Sequence, residues 1–96
     1  MKIVFLDGEK IDSVAEMHAV FAAELDFPAY YGGNLDALHD LLTENAGKIG
    51  VIVANPEAFK KTLGRRFKPF VRLMEELTSE REGFYFTLEP FGKPVE

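Results

Sequence analysis

The stretch Val51-Ile52-Val53-Ala54-Asn55-Pro56 decides the architecture. Its first four residues form a short buried strand. Asn55-Pro56 then opens a helix, with Asn as the N-cap and Pro at the first helical position, where its missing N–H is not needed. Before this stretch, Ile3, Val4, Phe5 and Leu6 form a first strand, ended by the turn pair Asp7-Gly8. The nearly continuous apolar character of Lys2 to Leu6 predicts a central strand buried on both faces. After it, Glu82-Gly83 leads into Phe84-Tyr85-Phe86-Thr87-Leu88, a third strand.

Helical patterns fill the gaps. Asp12-Ser13 offers an N-cap, and Glu16 stands three residues after Ser13 in capping-box spacing. Val14, Met17, Phe21 and Leu25 repeat at helical intervals, predicting a helix over Val14 to Leu25. Asp26-Phe27-Pro28 stops it, because the residue before a proline is pushed out of the α region. Ala29 to Gly33 reads as an exposed loop with unusual backbone angles. Asn34 caps a second short helix over Leu35 to Thr43, with Leu35, Leu38, Leu41 and Leu42 on one side. The helix opened by Pro56 ends near Leu63-Gly64. A fourth helix starts at about Lys68 and carries Phe70, Leu73, Met74 and Leu77 at i, i+3, i+4 and i+7. The order β-α-α-β-α-α-β, with long helical crossovers, predicts an α/β fold: a three-stranded parallel sheet with right-handed connections and about four helices. One domain is expected over residues 1–90, with a loose tail over 91–96.

Composition narrows the function. With 96 residues, 47% of them apolar, the chain has one core, and nine Phe without Trp make that core Phe-rich. The absence of Cys excludes disulfides, thiolate nucleophiles and Cys-ligated zinc. The apolar run Ile3 to Leu6 is too short for a signal peptide or a membrane span, so a cytoplasmic protein with no membrane association is expected. Net charge is −5 and unevenly spread. Residues 1–46 hold nine acids against two bases, whereas 47–96 hold seven against nine. Between Lys10 and Lys48 there is no Lys or Arg, while seven acids occur. Such a field repels phosphate backbones and attracts cationic surfaces, so the expected partner is a basic protein rather than a nucleic acid.

The segment Tyr30-Tyr31-Gly32-Gly33-Asn34-Leu35-Asp36-Ala37-Leu38-His39-Asp40-Leu41-Leu42 is where chemistry concentrates. A helix puts Asp36 and Asp40 on one face with His39 beside them. Like charges at i, i+4 destabilise an isolated helix by ~0.2–0.5 kcal/mol. The dipole compensates Asp36 near the N-terminus but does little for mid-helix Asp40. Two tyrosines precede this face on a Gly-Gly loop that lets backbone approach a partner closely.

The string from Tyr30 to Thr43 resembles the barstar family of small intracellular inhibitors of guanyl-preferring ribonucleases. Asp7-Gly8-Glu9, Leu25 and Pro28 fall at matching places. Gly47 to Arg66 matches only in element order, and the tail has no counterpart. The resemblance implies an inhibitor, monomeric when free, that plugs the active site of a basic, barnase-like ribonuclease or related toxin. Tyr30 and Tyr31 would pack on the enzyme's rim, with Gly33, Asn34, Leu35, Asp36, Ala37 and His39 along the contact. Asp40 would sit where an RNA phosphate sits, held by the enzyme's Arg and His side chains. Thr43 and Glu44 close the same surface, and Glu76 adds an acid from the fourth helix, with Glu75 the near alternative. His39 stands where well-known members carry Trp, and Gly33 where they often carry an acid. Protonation of His39 would set positive charge against a cationic partner.

Rival readings rest on less. Asp36, His39 and Asp40 resemble a metal set, but one short helix supplies three ligands only with strained rotamers, and His18 lies elsewhere, inside the first helix. Adjacent carboxylates on one exposed helix do not flank a bound sugar. Ser13 and Ser79 look like a cap and a helix-end residue. Gly32-Gly33 precedes acids, not the Lys-Ser or Lys-Thr of a phosphate loop. No cofactor or metal is therefore expected, and no enzymatic activity. A module of the same fold that binds a different basic partner is the remaining alternative. The basic cluster Lys60, Lys61, Arg65, Arg66 and Lys68 would suit a second, acidic one.

Overall fold

Three short strands, β1 (Lys2–Asp7), β2 (Ile49–Ala54) and β3 (Phe84–Glu89), pair in parallel in the order β1-β2-β3. Val4 lies opposite Val51, and Val51 opposite Phe86. The computed structural model describes residues 1–45 and 47–89, so the tail expected over 91–96 and the last residue of the domain expected over 1–90 lie outside the described residues. Between the strands run α1 (Val14–Leu25), α2 (Leu35–Glu44), α3 (Pro56–Leu63) and α4 (Phe67–Glu80), with a 3-10 turn over Gly64–Arg66. The order β-α-α-β-α-α-β matches the one read from sequence.

The strand expected at the centre is not there. β1 is an edge strand, with Ile3 43% and Phe5 39% exposed, and β2 is central, with Ile49, Val51, Val53 and Ala54 buried. The reason is topological. Successive right-handed crossovers that advance strand by strand in one direction lay their helices on one face of the sheet. Val4, Leu6, Val51 and Val53 meet those helices, while Ile3, Phe5 and Tyr85 stand on the open face. An apolar run therefore marked a strand without marking its place.

Ser13 Oγ accepts from Glu16 N–H at 3.0 Å, but the Glu16 carboxylate accepts from Asp12 N–H at 2.8 Å, one residue earlier than in the standard box. Asp26 ends α1 in the left-handed region at φ 55°. Asn55 departs from expectation. It occupies the N-cap position of α3 at φ 53°, but its side chain does not cap the helix. Its Nδ2 instead donates to Asp7 Oδ1 at 2.9 Å, tying the ends of β1 and β2 together. The turn at Gly8 explains the exchange. Gly8 N–H donates to Ala54 O at 2.8 Å, and a Cβ at Gly8 would lie 2.3 Å from Asn55 O, so only glycine lets these segments close.

The core is Phe-rich as read. Phe70 meets Phe21, Phe59 and Phe86 edge-on at centroid distances of 6.2, 5.5 and 6.1 Å, the favoured geometry for ring quadrupoles. Leu38 and Leu42 sink the inner face of α2 into this core, and α2 leans mainly on α4. The Arg81 guanidinium donates to Asn45 O and Gly47 O, which anchors the end of α2 beside the end of α4. The acidic helix is thus braced from behind with its outer face free.

Candidate functional site

Asn34 builds the site's first corner. Its extended backbone (φ −133°) and its Oδ1, which accepts from Ala37 N–H at 2.8 Å, start α2 at a fixed point after the loop. From there Asp36, Asp40 and Glu44 follow at intervals of four and form an exposed acidic stripe. The Asp40 side chain is 75% exposed. Thr43 spends its hydroxyl proton on His39 O at 2.7 Å. Glu44 stands in the last turn, which carries no base, so it faces the negative end of the dipole. Asp36, in the first turn, suits the helix dipole, but nothing in α2's own stability calls for the charges of Asp40 and Glu44.

α4 supplies the facing wall. A cleft of about 390 Å³ lies between the helices, lined by Leu35, Asp36, His39 and Asp40 on one side and by Pro69, Arg72 and Glu76 on the other. Glu76 is thus brought to the same cleft as the two aspartates, and Glu75 is not among its lining residues. His39 stands between the walls, with Nδ1 3.8 Å from Asp40 Oδ1 and Nε2 3.7 Å from Glu80 Oε1. Asp36, Asp40 and Glu76 therefore share one opening, and Glu80, one turn beyond Glu76, reaches its His39. Among the described residues, no Lys or Arg nitrogen comes within 4.0 Å of any of these four carboxylates. Arg72 tempers the field of the cleft without pairing in it.

The loop before α2 has two different tyrosines. Tyr30 is 82% exposed. Tyr31, expected beside it on the rim, is half-buried: its ring packs edge-on against Phe27 at 4.8 Å, and its hydroxyl lies 2.5 Å from His18 Nδ1. Burial pushes the Tyr31 pKa up to about 12 and lowers that of His18. Gly33 adopts φ 67°, a conformation an L side chain rarely takes, and so turns the chain into the Asn34 cap. Leu35 and Ala37 are half-buried at the helix start.

Sequence reading missed Glu80 and Arg72. Glu80 was within reach, since it lies four residues beyond Glu76 on the same helical face. Among the described residues, no group of three His, Asp or Glu side chains is arranged to hold a metal ion. The basic cluster of Lys60, Lys61, Arg65, Arg66 and Lys68 is exposed around the α3–α4 elbow. No helix among the described residues is long and apolar enough to cross a membrane.

A family model described as "Barstar (barnase inhibitor)" matches residues 1–89. The chain belongs to the barstar family. Over 43 residues, 45% of this chain, it is 44% identical to the Bacillus subtilis (strain 168) protein named "Putative ribonuclease inhibitor YrdF", and it spans about half (47%) of that protein's length. For a barstar-family chain, the feature that stands apart is His39, an imidazole bracketed by two carboxylates at a position where well-known members carry an indole.

Proposed function

We propose that this chain inhibits a small basic ribonuclease by seating α2 and the loop 30–34 in the enzyme's RNA-binding site, and that it does so inside the cell without catalysing a reaction. A ribonuclease must present positive charge to hold RNA. An acidic helix fills that site without offering a bond to cleave. Asp40 takes the place of a phosphate, held by the enzyme's Arg and His side chains. Asp36, Glu44 and Glu76 extend the negative surface. Tyr30 covers the rim, with Tyr31, Gly33, Asn34, Leu35, Ala37, His39 and Thr43 completing the contact.

One observation carries the reading: Asp36 and Asp40 stand side by side and exposed, with no Lys or Arg of the described chain within 4.0 Å. Exposed carboxylates with no Lys or Arg partner in their own chain are free to pair with a cation that arrives from outside. Membership of the barstar family and the name carried by the Bacillus subtilis relative support the same conclusion.

The test is capture. The chain is used as bait, and the protein it retains is assayed for RNA cleavage with and without added bait. Capture of a ribonuclease that the bait silences supports the proposal, with association slowing steeply as salt rises. Retention of a basic protein without ribonuclease activity supports the second reading, a barstar-fold immunity module for another basic toxin. His39 in place of an indole favours that second reading, because Trp is a preferred interface anchor.

A further inference from the structure

A contact outside the acidic helix bears on the same surface. His18 sits inside α1, thirteen residues before Tyr31, and is 4% exposed. It is the one buried polar residue among the described core positions. Its Nδ1 meets the Tyr31 hydroxyl at 2.5 Å, and the two rings lie 5.7 Å apart and tilted by 59°. Tyr31 is held twice more, by the edge-on contact with Phe27 and by its N–H donating to Pro28 O at 3.0 Å. Tyr30, its chain neighbour, is free in solvent. On the other side of Tyr31, a Cβ at Gly33 would stand 4.0 Å from His18 Cβ, so the loop is drawn down onto this residue at two points.

We infer that His18 is a positioning residue for the partner-binding surface: from within α1 it clamps Tyr31 and so fixes the backbone that presents Tyr30 and delivers the chain to the Asn34 cap. The inference rests on the reading that this loop meets a ribonuclease. Its physical basis is the separation of roles between the two tyrosines. A loop with both rings outside would have to be ordered on binding, and ordering side chains and loop segments costs affinity. Turning one ring inward orders the loop before the partner arrives. The groups facing His18 are few. Tyr31 comes from the loop, Arg66 lines the same cavity of about 390 Å³ from the 3-10 turn, and Val14 and Met17 are its uncharged neighbours on α1. Burial lowers the His18 pKa and raises that of Tyr31, so near neutral pH the clamp joins two uncharged groups. On acidification, a protonated His18 would carry its charge in a desolvated site, and the clamp loosens.

The experiment uses Tyr31→Phe, which removes only the hydroxyl, and His18→Phe, which keeps the volume buried. Each is compared with the native chain well below its own Tm. Limited chymotrypsin digestion after residues 30 and 31 reads loop opening, since Tyr and Phe are both cut. Loss of one buried hydrogen bond predicts an increase in loop cleavage of about fivefold in each variant at pH 7.5. Cleavage of the native chain, corrected for the protease's own pH dependence, rises between pH 7.5 and pH 5, while that of His18→Phe stays flat. Dissociation from the captured ribonuclease quickens by a similar factor in both variants. Loop cleavage within twofold of native in both variants would overturn the inference. So would faster cleavage with unchanged dissociation, since the loop would then be held for a reason other than binding. If the native chain silences no ribonuclease, the functional reading fails, and the digestion alone still decides whether His18 holds the loop.

Discussion

Asp40→Ala separates a functional carboxylate from a structural one, because the two roles predict opposite signs. In the free chain the Asp40 side chain is 75% exposed, makes no ion pair with Lys or Arg among the described residues, and lies 3.8 Å from His39 Nδ1. It stands four residues from Asp36 and four from Glu44, both acidic. Removing it relieves like-charge repulsion of ~0.2–0.5 kcal/mol per pair and substitutes a better helix former. The variant is therefore expected to melt higher, by roughly 2–8 °C for a domain of this size. Binding moves the other way. Truncating one member of a desolvated charge pair at an interface costs ~2–5 kcal/mol, or roughly 30- to 4,000-fold in Kd. Thermal melts of the free protein and inhibition titrations against the captured ribonuclease read the two quantities on the same preparations. Asp12→Ala, away from the cleft, serves as the control and leaves inhibition within threefold. An Asp40→Ala chain that melts several degrees lower, or inhibits as well as the control, would refute the assignment of this face.

Three further outcomes follow from the geometry. Glu76→Gln weakens inhibition at least fivefold while Glu75→Gln leaves it unchanged, because only Glu76 lines the cleft with the aspartates; inhibition titrations of the two variants check this. Asn34→Ala removes the acceptor for Ala37 N–H and lowers stability by about 1 kcal/mol, read as a drop in urea midpoint at constant slope. Stability also falls in acid through His18. Its folded pKa lies below the ordinary 6.5, so the unfolded chain binds the proton first, and the contribution present above pH 6.5 is lost as pH falls through the folded value. The urea midpoint of the native chain should drop more between pH 7.5 and pH 5 than that of His18→Phe.

What was legible in the sequence was local. Apolar periods marked α1, α2 and α4, the caps at Ser13 and Asn34 formed where their side chains predict, and the Phe-rich core followed from composition. The acidic face was legible too, since an i, i+4 spacing on a helix needs no tertiary information. What was not legible depends on residues far apart in the chain. The edge position of β1 follows from how the crossovers advance, not from Ile3 or Phe5. Asn55 gives up its capping role to Asp7, 48 residues earlier. Tyr31 turns inward because His18 waits beneath it, and a Tyr-Tyr pair in sequence offers no way to tell the outer ring from the inner one. That Glu76 rather than Glu75 lines the cleft needed α4 in place, with Leu73, Met74 and Leu77 turned into the core.

The most direct measurement is competition at the ribonuclease's own active site. A guanosine 3′-phosphate, which occupies the site without being cleaved, is titrated into the complex of this chain with the captured enzyme. If α2 lies where RNA lies, the apparent Kd of the complex rises linearly with the free nucleotide concentration, with no plateau, and bound inhibitor excludes the nucleotide in return. An apparent Kd that stays constant while the nucleotide saturates the enzyme would contradict the account.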